Sequence, residues 1–253
     1  MKKKLIGMIH LKALPSAPDN KLSLEEIFEY AKRDLEALEN AGAFAAIVEN
    51  YFDIPYSTSP DLETYISMCN IFTRLKEIST ISLGLNIHSC NNDEEMIIAS
   101  LCGAEFIRAE SFVEARHSMG GILHPMAPVL LRKKKILQSN TKIYADVNVK
   151  ETYSFSPQSL EDAILDSIKG KADAIIITGF ETGKAPNINE IKKVKELVGT
   201  TPLVIGSGVN EKNIAELMKY ADQVIVGSSI KQDNDITKEI NETKVRQLVQ
   251  MIS

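Results

Sequence analysis

The sequence predicts an α/β protein folded as a TIM-type (β/α)8 barrel, a single domain spanning residues 1–253. Three observations carry that expectation. Eight short apolar runs alternate with amphipathic stretches, as in parallel strands covered by helices. The repeats are evenly spaced, with no linker or composition break between them. The length of 253 residues matches the roughly 250 typical of such barrels. An open doubly wound sheet would call for a glycine fingerprint after the first strand, and none follows it.

The strands read, in order, as 5-LIGMI-9, 44-FAAIV-48, 81-ISLGL-85, 105-EFIRA-109, 142-KIYADVNV-149, 173-DAIIIT-178, 202-PLVIG-206 and 223-QVIVG-227. The clearest helix is 23-SLEEIFEYAKRDLEALENAG-42. Its Leu24, Ile27, Phe28, Ala31, Leu35 and Leu38 keep the three-and-four spacing of one helix face. Ser23 and Glu26 form a capping box, and Gly42 supplies the stop. Further helices read over 93–103, 187–199, 210–221 and 241–252, with Asn187, Asn210 and Asn241 as N-caps. The basic block Arg132-Lys133-Lys134-Lys135 lies between apolar pairs and reads as a solvated helix face. The connections over 49–64 and about 110–125 are long. Both follow a strand's C-terminal end, which makes them candidate lids.

Composition excludes several function classes. The net charge of -5 argues against a nucleic-acid surface. No run approaches the roughly 18 apolar residues of a membrane span. The opening 1-MKKKLIGMIHLKALPSA-17 has an apolar stretch interrupted by His10 and closed by Lys12, so it reads as a first strand and not as a secretory leader. Cys69, Cys90 and Cys102 are odd in number and match no zinc spacing. They read as reduced thiols of a cytoplasmic protein.

Two glycine–serine elbows, 204-VIGSGVN-210 and 224-VIVGSSIK-231, end the last two strands. The first resembles a dinucleotide loop, but Glu211 stands where the third glycine belongs. In a barrel the two elbows become neighbours, which is the recurrent phosphate site of this fold. Gly206, Ser207 and Gly208 with Gly227, Ser228 and Ser229 would offer backbone N–H groups, hydroxyls and a helix N-terminus to an anion, and Gly179 adds the preceding strand end. Two tight turns that happen to use glycine are the structural alternative.

Polar groups that do not suit a dry core end the other strands. They are His10; Glu49 and Asn50, with Asp53 beyond; Asn86 and His88; Arg108 and Glu110; Asp146, Asn148 and Lys150; and Thr178. The two-residue period of a strand puts Asp146, Asn148 and Lys150 on one face. Structural readings exist for each: a turn cap at His10, an ion pair of Glu49 with Arg108, another of Asp146 with Lys150. As a set above an anion site they resemble acid–base machinery. Asp146, Lys150 and Glu49 are the catalytic candidates. His10, Asn50, Asp53, Asn86, Arg108, Asn148 and Thr178 would position substrate. Lys150 suits an ammonium acid, an electrostatic clamp or a Schiff-base amine. No cofactor is expected. Glu49, Asp146 and His10 are chemically able to hold a divalent metal, but their spacing demands none.

With these residues in view the chain resembles the BtpA family. The resemblance covers nearly the whole length through 6-IGMIHLKALP-15, 47-IVENYFDIPY-56, 83-LGLNIHSCNND-93, 105-EFIRAE-110, 145-ADVNVK-150, 177-ITGFETGKA-185, 204-VIGSGVNEKNIAEL-217 and 221-ADQVIVGSSIK-231. It implies a ribulose-phosphate-binding type of barrel, in agreement with the elbows. Four departures ring the cavity: 14-LPSAP-18 where the family tends to Leu-Pro-Gly-Ser-Pro, no arginine in 88-HSCNND-93, Arg108-Ala109-Glu110 for Arg-Val-Asn, and Glu151 for a His.

Together these readings predict an enzyme on a phosphorylated sugar or similar small metabolite, of isomerase, epimerase or aldolase type. A homodimer or higher homo-oligomer is expected by analogy with such barrels. The alternative is a non-catalytic ligand-binding or assembly factor, the role that the resemblance implies through relatives tied to photosystem I. No exposed docking segment stands out in the sequence to support it.

Overall fold

The computed structural model describes residues 4–149, 151–155, 158–179 and 185–252. Eight parallel strands close into a barrel: β1 (Lys4–His10), β2 (Ala45–Glu49), β3 (Ser82–Asn86), β4 (Phe106–Ala109), β5 (Lys142–Val147), β6 (Ala174–Ile177), β7 (Leu203–Ile205) and β8 (Gln223–Val226). Every strand pairs with its neighbours in sequence, and β1 closes the ring on β8 from Lys4↔Gln223 to Gly7↔Val226. All eight expected strands are present, with ends shifted by at most two residues.

The strands are apolar on both faces because both are covered. The pleat divides each between two cores. Ile6, Met8, Ala45, Ile47, Phe106, Tyr144, Ala174, Ile176, Val204 and Ile225 fill the barrel. Leu5, Ile9, Ala46, Val48, Ile107, Ile143 and their counterparts pack under the helices. Gly84 makes room inside: a Cβ there would lie 2.3 Å from the Phe106 ring, which stacks on Tyr144 at 4.5 Å.

Among the described residues eight helices surround the barrel: α1 (Leu24–Asn40), α2 (Leu62–Ile78), α3 (Glu94–Leu101), α4 (Ala127–Ile136), α5 (Leu160–Lys169), α6 (Ile188–Val198), α7 (Ile214–Leu217) and α8 (Glu242–Ile252). The Ser23/Glu26 capping box forms, Asn187 caps α6, and the basic block lies on α4 as expected. Helices α2 and α5 add to those read from the sequence; Asp61 caps the first and Ser159 the second. The helix expected over 210–221 shrinks to the single turn α7. Asn210 Oδ1 accepts from the Lys212 N–H at 2.9 Å, and Asn213 Oδ1 accepts from the Asn210 N–H at 2.9 Å. These local bonds satisfy the backbone in a turn and displace the first helical turn.

The long connection after β4 builds two strands of a small antiparallel sheet, Arg116–Ser118 with Gly121–Leu123, joined by Tyr153–Ser154 from beyond β5. This sheet sits at the C-terminal mouth of the barrel, where Ser118, Met119 and Tyr153 wall a cavity. No helix among the described residues is long and apolar enough to cross a membrane.

Candidate functional site

A cavity of about 680 Å³ opens at the C-terminal strand ends. His10, Glu49 and Arg108 line it together with Gly206, Ser207, Gly208, Gly227 and Ser228. On four strands an apolar residue fills the barrel interior and, two positions later, the same face carries a polar one: Met8 then His10, Ile47 then Glu49, Phe106 then Arg108, Tyr144 then Asp146. A second cavity, of about 840 Å³, opens at the opposite mouth around Lys4, Lys142, Tyr144 and Gln223. It is the larger, but in this fold the chemistry resides at the C-terminal mouth.

Two carboxylates and two imidazoles meet at that mouth. His88 Nδ1 lies 2.6 Å from Glu110 Oε1 and 4.0 Å from Glu49 Oε1. His10 Nε2 lies 3.6 Å from Glu49 Oε2. The rings are wedged by tyrosines: Tyr56 meets His88 edge-on at 3.9 Å, and Tyr51 meets His10 at 4.8 Å. Burial opposes a charge on His88, but the Glu110 carboxylate and its hydrogen bond prevail and raise the imidazole above its ordinary value. Burial likewise works against Glu110, and the attraction of His88 overcomes it to bring the carboxyl down to about 2. Both shifts favour an ion pair of His88 with Glu110, beside Glu49.

Arg108 pairs with Asp146. Its Nε donates to Oδ2 at 2.6 Å and its Nη2 to Oδ1 at 3.3 Å. Asp146 is 1% exposed, so this geometry suits a carboxylate that orients Arg108. Asn50 and Asp53 brace loops: Asn50 Nδ2 donates to Asp53 Oδ2 at 2.9 Å, the Leu14 N–H donates to Asp53 Oδ1 at 2.8 Å, and Asn50 Oδ1 accepts from the His88 N–H at 2.7 Å. Neither lines the cavity. Asn86 is fully buried and its Nδ2 donates to Glu110 Oε1 at 3.3 Å. Asn148 accepts from Arg116 at 3.1 Å within the mouth sheet's own network. Thr178 is buried with its hydroxyl unpartnered among the described residues. Lys150 lies outside the described residues.

The elbows do become neighbours. Ser229 Oγ donates to the Val209 carbonyl at 2.6 Å and ties one to the other, so this hydroxyl is directed away from the cavity. The Gly179 N–H donates to Ser207 Oγ at 3.1 Å and brings in the end of β6. Gly208 adopts φ 71°, a left-handed turn that glycine accepts without strain. A Cβ on Gly206 would lie 2.5 Å from Ile176, and one on Gly227 would lie 3.1 Å from His10. At Gly206 the backbone comes closer to its surroundings than a Cβ allows without a shift, and at Gly227 the fit against the His10 ring is tight. The helix N-terminus expected behind the first elbow reduces to the single turn α7, and a 3-10 turn at Ser228–Ile230 follows the second.

His88 and Glu110 are legible in the sequence only as strand-end residues, without roles. Glu95, a carboxyl in the first turn of α3 that accepts from the Ile87 N–H at 2.9 Å, is not marked there as a site residue. Neither is the clasp of Arg116 and Glu114. Arg116 Nη1 donates to Glu114 Oε1 at 2.7 Å, and Glu114 Oε2 accepts from the Asn148 N–H at 2.7 Å. Residues on a short excursion between strands carry no periodic signal, so nothing in the pattern marked them.

Comparison with known proteins agrees with this architecture. The model of the BtpA family matches residues 1–253. An uncharacterized protein of Methanocaldococcus jannaschii is 37% identical over 251 residues, which is 99% of this chain and 95% of that protein. The photosystem I biogenesis protein BtpA of Synechocystis is 32% identical over 251 residues, 98% of this chain and 88% of that one. Among solved structures, native KDPGal superposes with a TM-score of 0.61 at 13% identity, covering 99% of this chain and 95% of that chain. N-(5'-phosphoribosyl)anthranilate isomerase from Pyrococcus furiosus does so with 0.60 at 15% identity, covering 99% and 98%. At these identities the structural likeness speaks to the fold.

Proposed function

The chain belongs to the BtpA family, and we propose that it is an enzyme acting on a phosphorylated sugar or a similar small metabolite. The observation that carries this reading is that one cavity is shared by both elbows and by Glu49, His88, Glu110 and Arg108. An anion held by the backbone of 206–208 and 227–228 anchors one end of the substrate. The other end then falls beside the acid–base groups, a gain in proximity and orientation. Glu49 moves a proton at a carbon next to a carbonyl, as isomerase, epimerase or aldolase chemistry requires. Arg108, set by Asp146, steadies developing negative charge. Lys150 is assigned the role of acid or electrostatic stabiliser. The setting is the cytoplasm, and the working form is a homodimer or higher homo-oligomer.

The test has two arms. Inorganic phosphate and a panel of phosphosugars should raise the melting temperature, and Ser228→Glu, which places a carboxylate at an exposed elbow position, should remove the shift. With a ligand so found, deuterium from solvent should enter the substrate in the parent and about 100-fold more slowly in Glu49→Gln. The proposal fails if no phosphosugar shifts the parent or if Ser228→Glu responds as the parent does. The name of the Synechocystis relative favours a second reading, an assembly factor. It predicts ligand binding with no exchange in the parent.

A further inference from the structure

We infer that Glu49, His88 and Glu110, with His10 beside them, form a site for a divalent first-row transition cation. One ligand atom from each of the three residues lies within 4.8 Å of the others. Around an ion with bonds of about 2.1 Å, ligand atoms sit roughly 3–3.5 Å apart. His88 and Glu110 are already closer than this, at 2.6 Å, and Glu49 stands at 4.0 Å from His88. Small side-chain rotations bring the set to that spacing. His10 Nε2, 3.6 Å from the other oxygen of Glu49, supplies a second imidazole.

A separate observation points to the same place. Asn86 is fully buried, its amide nitrogen abuts Glu110, and its Oδ1 has no partner among the described residues. Flipping the amide turns that oxygen towards the cluster as a further neutral donor. Backbone bonds fix the loop that carries these groups: the main-chain N–H of His88 donates to Asn50 Oδ1 at 2.7 Å, and that of Ser89 donates to Glu110 Oε2 at 3.1 Å. The set weighed from sequence, Glu49 with Asp146 and His10, is therefore replaced by one in which His88 and Glu110 stand for Asp146. Mixed imidazole and carboxylate ligands select zinc, manganese, cobalt or iron over magnesium and calcium. The site stands on these side chains alone and holds whether or not the ligand of the cavity is phosphorylated. An ion here would polarise a carbonyl or hydroxyl of whatever the cavity binds.

Chelator-treated protein titrated with Co2+ and monitored by visible absorption tests the assignment. The expected result is one ion per chain, displaced by Zn2+. Affinity should fall about 100-fold or more in His88→Gln and in Glu110→Gln. It should be unchanged in His117→Gln/His124→Gln, which removes the two exposed imidazoles. If the cavity variants do not fold, X-ray absorption of the Co2+-loaded parent decides, with imidazole and oxygen scattering expected and sulfur ligation contrary. Absence of stoichiometric binding at about 1 mM Co2+, or parental affinity in both cavity variants, overturns the assignment.

Discussion

Glu95 projects from the first turn of α3 into the wall behind the cavity and is 5% exposed. Burial holds its carboxyl well above the usual range, the Ile87 N–H opposes this, and the charges of Glu110 and Glu49 add to it. The folded-state value thus exceeds the unfolded one. The stability that the neutral form contributes is complete below the ordinary value of 4.5 and is lost as pH rises towards the folded value. Glu95→Gln keeps the acceptor and the volume and removes the titration. Urea denaturation should show a gain of about 1–3 kcal/mol at pH 8 and almost none at pH 4. Equal or lower stability at both pH values would show that the carboxyl is accommodated in its charged form. The same residue shows why the site is only partly legible in sequence. As 93-DEEM-96 it is indistinguishable from an acidic first turn facing water, and only the packing of α3 against the barrel buries it.

At the scale of elements, the mouth sheet is held by one buried side chain. Arg116, 2% exposed, joins Glu114, Asn148 Oδ1 and the Thr152 carbonyl, so it ties the excursion after β4 to the one after β5. Arg116→Met fills the space but leaves Glu114 buried without its cation, a loss of about 3–5 kcal/mol. That loss falls on the sheet and not on the barrel ladder. Hydrogen exchange should therefore rise over 114–123 and 151–155 while β1–β8 keep their protection. Exchange rising equally in the barrel would mean that sheet and barrel form one cooperative unit. The connection over 110–125 was recognisable as a candidate lid from its length, but its strands were not. Three-residue strands are too short to show a period, and Tyr153–Ser154, which pairs with Arg116 and His117, lies beyond the whole of α4 and β5 in sequence.

At the scale of the whole molecule, closure of β1 on β8 brings residues 4–7 to 223–226 and turns eight strand ends into one ring. The mouth sheet and its edge leave Met119, Ile122, Tyr153 and Phe155 exposed by 49–76%, an apolar surface suited to contact between copies. The proposed homo-oligomer predicts a mass in light scattering of at least twice the 28.0 kDa of one chain, falling to one chain when Ile122→Lys and Tyr153→Lys are combined. A parent of 28.0 kDa would remove it.

By itself the sequence determined the eight strands, the barrel and the two elbows. Each rests on a local pattern: runs of β-branched residues, a three-and-four helical stripe, glycine where backbone must come close. The polar ring was also local, because the pleat repeats every two residues and a polar residue two positions after an inward apolar one faces the same way. Tertiary structure alone decided the partners. It gave Asp146 to Arg108 and drew His88 and Glu110 to Glu49. It also turned Ser229 away from the cavity. Which charge meets which depends on barrel curvature and loop packing between residues dozens apart, and a linear pattern carries no record of that distance.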